Sequence, residues 1–571
     1  MSGAATIERT RVPRAARSAN RPAWRSVAFV AAGLVLLPVV VVASSILTPS
    51  VDTWRHLWAT RLPGALVETV LLLLGVGVGT LVLGAGFAWL TTAYRFPGRR
   101  LLSWLLVLPL AMPAYVLGFL ALATLGHAGP IQSGLRGVFG SGIWFPDIRS
   151  VGGAATVMSL SLYPYVYLLA RAAFHEQAAA TYEAARALGQ GPLAAVRRVV
   201  LPLARPSLAA GVTLVMMETL TDFATVQYFN VETISVSVYR VWQGMFDRTA
   251  ATELAALVLL VAVGILLAER AFRGRARFHQ QGGAGRRMPA VTLHGWRAWA
   301  ATGACLALVG VAFAGPVAQL VAWSGAETIR GVRGVVDVRF FTYLGRSATI
   351  AAVVAAACVV IAVLVANGVR FSGGRATRLA AQLTTAGYAV PGVVVAIGVL
   401  AVLAGLDAAS DALGLPFGRA LLVTGSLAGL LYAYVVRFLA LGFNSVDASL
   451  EKVTPSMTMS AMSLGASTVR VVRRVHLPLM RSGLGVALVL VAIDALKELP
   501  IVLLLRPFGW DTLAVWVWQL ASESRWESAA LPALTIVAAA LVPVLLLFRR
   551  TARGGDDLDA RDTVPEIGVV G

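Results

Sequence analysis

The sequence predicts an all-α polytopic membrane protein, with about 12 transmembrane helices arranged as two pseudo-symmetric six-helix halves. Three observations carry that prediction. Of 571 residues, 58% are hydrophobic and only 13% charged, with a mean hydropathy of +0.77; an average soluble domain carries about 25% charged residues. Twelve apolar runs punctuate the chain, each close to the roughly 20 residues that a bilayer span requires. A polar, glycine-rich and basic stretch at 270–297 divides them six and six.

In chain order, a basic tail at 1–25 precedes the first half, 26–269. Its runs lie near 26–47, 65–93, 101–126, 151–174, 207–229 and 251–268. The stretch 270–297, with Arg273-Gly274-Arg275 and Gln280-Gln281-Gly282-Gly283, reads as a flexible linker. The second half, 298–548, has runs near 298–323, 346–369, 379–405, 420–443, 482–505 and 529–548, and a tail follows at 549–571. Period-two alternation is absent, so helices are expected rather than a barrel. The start of the chain has some features of a cleaved leader, including the small residues Ala43-Ser44-Ser45. Its basic region is too long and its apolar run is span-length, so a retained first helix is expected.

The charge pattern sets the expected orientation. With both termini in the cytoplasm, 33 of the 48 basic residues fall in cytoplasmic segments and 13 in the opposite loops, as the positive-inside rule requires. The net charge of +20 therefore reads as membrane topology and not as a nucleic-acid surface. Cys305 and Cys358 both sit in apolar runs, so neither a disulfide framework nor a metal-binding spacing is present. Lys452 and Lys497 are the only lysines, and neither follows a glycine. The chain thus lacks the Gly-Lys-Ser/Thr of a phosphate loop, and any ATP-driven step must use another subunit. No Gly-x-Ser-x-Gly or His-Glu-x-x-His pattern occurs, so no enzyme site is expected.

The two halves share a motif. Tyr163-Pro164-Tyr165-Val166 stands eleven residues before Phe174, and Tyr432-Ala433-Tyr434-Val435 eleven before Phe443. A long basic loop follows each, at about 175–206 and 444–481. The first reads Glu183-Ala184-Ala185-Arg186-Ala187-Leu188-Gly189, with Arg197-Arg198 and Leu201-Pro202 downstream. The second reads Met459-Ser460-Ala461-Met462-Ser463-Leu464-Gly465, with Arg473-Arg474 and Leu477-Pro478 at the same offsets. Small alanines favour a short helix that can approach a partner closely. Gly189 permits the turn that ends it. Pro202 is expected to interrupt the helix at Leu201 and set the re-entry angle.

These loops resemble the EAA loops of ATP-binding-cassette importer permeases. The whole chain resembles the type in which two permease copies are fused, and more narrowly the ferric-iron group. That narrower likeness rests on the run Leu162–Arg171, on Thr221-Asp222-Phe223-Ala224-Thr225-Val226-Gln227-Tyr228-Phe229 and on Leu496-Lys497-Glu498-Leu499-Pro500. The resemblance implies a multi-pass protein of the bacterial inner membrane whose short loop helices dock on two copies of an ATP-binding subunit. It implies a solute-binding protein that delivers cargo to outer loops near 127–150, 230–250, 324–345 and 506–528. No cofactor would be bound by the chain itself, ATP being used by the partner. Ferric iron is the cargo implied. Thiamine, a polyamine or a phosphonate are alternatives within the class, and an ion-gradient-driven secondary transporter is the alternative outside it. The second loop departs from the pattern: Met459 replaces the glutamate, Ser460 an alanine, and about seven extra residues including Pro455 precede it.

Charge also falls inside the spans that follow the loops. Glu218 and Asp222 match Asp494 and Glu498 at the offset fixed by the two loop glycines. Each pair is spaced i, i+4, which would share one helix face, and Glu218 is expected near mid-membrane. A carboxylate there costs roughly 3 kcal/mol unless it faces protein or water, so these acids and Lys497 are candidate translocation-pathway residues, with hard oxygen ligands suited to a hard cation. A structural role, with Lys497 pairing with Asp494 or Arg437 holding the acids, explains them equally well. For Arg171, Tyr163, Tyr165 and Tyr167 packing is the better expectation. No metal site is assigned.

Overall fold

A computed structural model describes residues 21–177, 182, 185–245, 247–273, 291–329, 337–414 and 425–559. Among them twelve helices are long and apolar enough to cross a membrane, from Pro22–Leu47 to Trp526–Leu545. The expected tails and linker lie partly outside the described residues. Where the linker ends, Val291–Thr292 pairs in parallel with Tyr94–Arg95, and the Leu293 N–H donates to the Arg95 carbonyl at 2.9 Å.

Eight spans fall close to the apolar runs. The other four are displaced, in the same way in each half. The third span is Ala114–Phe139 and the ninth Gly392–Ala412, both later in the chain than 101–126 and 379–405. Proline is the cause. It lacks an N–H and drives its predecessor out of helical geometry. Before Pro113, Met112 is extended, and the run splits into Arg99–Leu105, a 3-10 turn Leu108–Ala111, and Ala114–Leu125. Before Pro391, the second half splits likewise into Arg375–Leu383, a 3-10 turn Ala386–Ala389, and Gly392–Ala412.

The fifth and eleventh spans, Val196–Thr221 and Thr468–Lys497, end earlier than 229 and 505. Helix Leu201–Thr221 stops at Asp222 (φ −82°, ψ 96°) and restarts as Phe223–Tyr228. Helix Leu477–Lys497 stops before Glu498 and restarts as Pro500–Leu505. Short helices Ile234–Arg240 and Leu513–Ser522 then follow, with Ile234, Val236, Val238, Leu513, Val515 and Val517 buried. Both fall within segments expected to be outer loops, and each is a helix buried on most sides, Ser235, Tyr239, Ala514 and Leu520 included.

The chain divides into two compact units: Met1–Pro38, Ala351–Tyr388 and Tyr434–Ala495 form one, and Val39–Ile350, Ala389–Ala433 and Leu496–Gly571 the other. In the larger unit, helix Leu62–Ala93 lies against Val151–Gln177. A side chain at Gly84 would bring its Cβ to 2.7 Å from Val166 Cβ and 2.9 Å from Tyr167 N, so glycine is what permits the close crossing. Tyr163 Oη donates to the Leu106 carbonyl (2.8 Å), and Tyr167 Oη to that of Ser103 (2.9 Å). Arg171 reaches the same Ser103 oxygen at 3.4 Å, its guanidinium over the Trp104 ring. These three side chains clamp the broken third segment, as a packing role predicts. In the smaller unit Arg437 donates to the Tyr388 carbonyl (3.1 Å) and lies over the Tyr388 ring.

Candidate functional site

The two loop tips have the same backbone. Gly189 has φ 82° and Gly465 φ 83°, a left-handed conformation that only glycine adopts without strain. Around each, the turn closes by matched hydrogen bonds. Gly189 N donates to Arg186 O (3.0 Å) and Gln190 N to Ala185 O (3.1 Å); Gly465 N donates to Met462 O (3.0 Å) and Ala466 N to Ala461 O (3.1 Å). These are helix C-terminal turns that satisfy otherwise orphaned carbonyls. The leucine before each glycine stands out in the open, Leu188 at 84% exposure and Leu464 at 89%. Ala185 is buried and Ala461 half-buried. Glu183 and Ala184 lie outside the described residues.

Downstream, the expected break at Leu201 is absent. Val196–Val200 and Val472–His476 are π-helical turns that run straight into helices Leu201–Thr221 and Leu477–Lys497. Leu201 N–H donates to Val196 O and Leu477 N–H to Val472 O, each five residues back. The physical reason is local. Pro202 and Pro478 would clash with the carbonyl four residues earlier, and the wider π turn makes room. Instead of breaking the helix, the proline shifts its register, and Arg197-Arg198 and Arg473-Arg474 sit exposed on the turn.

The acids also differ from expectation. Asp222 and Glu498 do not share a helix face with Glu218 and Asp494, because each lies just beyond its helix end. Asp222 Oδ1 accepts from Thr225 N at 2.9 Å, and its other oxygen accepts from the Thr225 hydroxyl. Glu498 Oε1 accepts from Ile501 N at 3.3 Å. Both carboxylates therefore cap the short helix that follows the break, where the positive helix end favours them.

In the larger unit Glu218, Asp222, Lys497 and Glu498 line one cavity of about 110 Å³, with Met112, Pro113, Tyr115, Ser161 and Tyr165 in its wall. Gly392 adjoins it: its N–H reaches Thr221 Oγ1 at 3.4 Å, and a Cβ there would stand 3.2 Å from Glu498 Oε1. Asp494 belongs to the smaller unit and is half-buried there. Three carboxylates and one ammonium give the cavity a negative bias. Among the described residues no group of three His, Cys, Asp or Glu side chains is close enough to hold a metal. Sequence reasoning missed Tyr115. Aligning the halves on Pro113 and Pro391 would have exposed it, since the second half has Val393 at that place.

A twelve-span helical protein with duplicated loop tips and a charged cavity in its interior is a permease in architecture. Residues 80–274 match the family described as binding-protein-dependent transport system inner membrane component. The chain belongs to that family: it is a multi-pass inner-membrane permease of an ATP-binding-cassette importer, a transport subunit that works with an ATPase and a solute-binding protein. It is 26% identical to an Fe(3+)-transport system permease protein of Haemophilus influenzae, over 92% of this chain and 98% of the relative. It is 30% identical to a sulfate transport system permease protein of Salmonella typhimurium (42% of this chain, 88% of the relative). To a molybdenum transport system permease protein of Escherichia coli it is 31% identical (33% and 84%). The sulfate and molybdenum relatives match less than half of this chain, whereas the Fe(3+) relative matches 92% of it, in keeping with an internal repeat.

Proposed function

We propose that this chain forms the channel through which ferric iron, handed over by a solute-binding protein, enters the cytoplasm. Two copies of a separate ATPase dock on the loops at 175–206 and 444–481, one on each permease half. The termini and these loops then face the cytoplasm. The observation that carries the docking is the pair of tips: the same left-handed glycine, preceded by the same exposed leucine, on two helices of unlike sequence. An exposed apolar side chain on a rigid turn suits insertion into a partner's groove. The absence of any Gly-Lys-Ser/Thr sequence supports ATP hydrolysis by the partner alone, with no cofactor held by this chain.

Two observations support iron: the relative that matches 92% of the chain, and the cavity lined by Glu218, Asp222 and Glu498. A negatively biased interior repels oxyanions and attracts a hard cation. The partial relatives favour sulfate or molybdate instead, and competition decides between the readings. Proteoliposomes holding the chain with its ATPase and binding protein are expected to accumulate ferric iron on ATP addition, and neither sulfate nor molybdate. Accumulation of an oxyanion in place of iron overturns the cargo assignment. Neutralising Asp222 together with Glu498 (Asp222→Asn with Glu498→Gln) should cut iron flux by about tenfold or more; wild-type flux in that variant would leave both residues as helix caps only.

A further inference from the structure

The cavity contains one group that the capping of Asp222 and Glu498 does not explain. Tyr115 is 5% exposed, lines the cavity, and its hydroxyl has no hydrogen-bond partner among the described residues. A buried polar atom left in that state requires an explanation. Asp222, Glu498 and Lys497 line the same cavity as the phenol. Its backbone is fixed: it lies in the first turn of helix Ala114–Leu125, which restarts after Pro113, and Ser161 Oγ donates to the Met112 carbonyl at 2.8 Å. The position is not duplicated, since the second half has Val393 there. The cavity, about 110 Å³, is several times the roughly 10–15 Å³ that one water needs, so an ion with part of its water shell fits.

We propose that Tyr115 contacts the cargo directly, forming with Asp222 and Glu498 a transit site for a hard trivalent cation. This rests on the reading of the chain as a cation importer. Phenolate and carboxylate oxygens are hard ligands matched to such an ion. The ion exchanges one bound water for Tyr115 Oη, and the phenolic proton passes to the Asp222 or Glu498 carboxylate. When the ion leaves, a water replaces it and the proton returns; no electron is transferred. Lys497 on the same wall opposes the ion's charge and keeps the site shallow. A transit site needs that weakness, since binding must favour entry without blocking exit.

The test uses the permease–ATPase complex in nanodiscs, with ferric nitrilotriacetate as probe. A phenolate bound to ferric iron absorbs visible light, and a carboxylate does not. The complex is expected to develop that band, and Tyr115→Phe to abolish it in a complex that still assembles with its ATPase. With binding protein added to liposomes, Tyr115→Phe should slow iron uptake by about tenfold. An undiminished band in Tyr115→Phe overturns the site. So does a wild-type complex that imports iron without showing the band, and that result leaves the importer reading in place. A complex that imports no ferric iron overturns the cargo reading and the site with it.

Discussion

The two loop tips share a backbone and differ in what braces it. At the first, Tyr182 meets Trp89 edge-on at 6.4 Å, and Trp89 meets Phe174 at 5.5 Å; the residue in register with His476 is Val200, which is buried. At the second, the brace is a buried polar chain. Thr458 Oγ1 bonds His476 Nε2 at 3.0 Å, and His476 Nδ1 bonds Asn367 Oδ1 at 2.6 Å. Phe371 stacks on the His476 ring and touches Trp24, whose indole N–H donates to Thr468 at 3.0 Å. The tip is therefore the invariant and its support is interchangeable. Apolar contacts are non-directional and tolerate adjustment, whereas a buried polar network is stable only when every member is satisfied. The second loop, which lacks the motif's glutamate, is the one held by the more specific brace.

That contrast can be broken from its strong side. His476→Leu should be the most damaging change, costing about 1–3 kcal/mol for each of Thr458 and Asn367 left unpaired. It should expose 455–471 to limited proteolysis while 185–200 stays as resistant as before. Equal loosening of both loops would contradict the distinction. The tips come next. Gly465→Val and Gly189→Val force a β-branched residue into left-handed geometry, at about 1–2 kcal/mol each. Among the described residues, chain neighbours apart, nothing lies within 4 Å of a Cβ at either site, so the cost is backbone strain and not collision. Asparagine, which tolerates that conformation, should therefore rescue ATP-coupled uptake at both positions, and failure of asparagine would mean that the partner needs the bare glycine surface. The smallest effect is expected for Trp89→Leu, which removes edge contacts worth about 0.5–1.5 kcal/mol and should lower thermal stability only slightly.

The twelve spans were legible because lipid demands one signal, a long apolar run, and the chain supplies it twelve times. The breaks within them were harder to read. Pro109, Pro113 and Pro391 marked two of them in plain sight, yet Pro38, Pro164 and Pro206 lie inside continuous helices, so proline alone does not decide. The break at Asp222 has no proline at all; there the acid accepts bonds from Thr225 and lets the chain turn. The i, i+4 spacing of Glu218 and Asp222 looked like a shared face only on the assumption that the helix continued. The loop motif was legible as a repeat, but the π turns that absorb Pro202 and Pro478 were not, because they depend on where the hydrogen-bond ladder slips. His476 looked like a loop residue and is fully buried, for Asn367 lies 109 positions away in sequence.

The central claim is that an external motor drives this channel through its two loop tips. It is tested most directly by measuring ferric-iron accumulation in liposomes containing the chain with its binding protein, with and without the ATPase. The account predicts accumulation only when the ATPase and ATP are both present. Accumulation by the chain without the ATPase, driven by an imposed proton or sodium gradient, would contradict it.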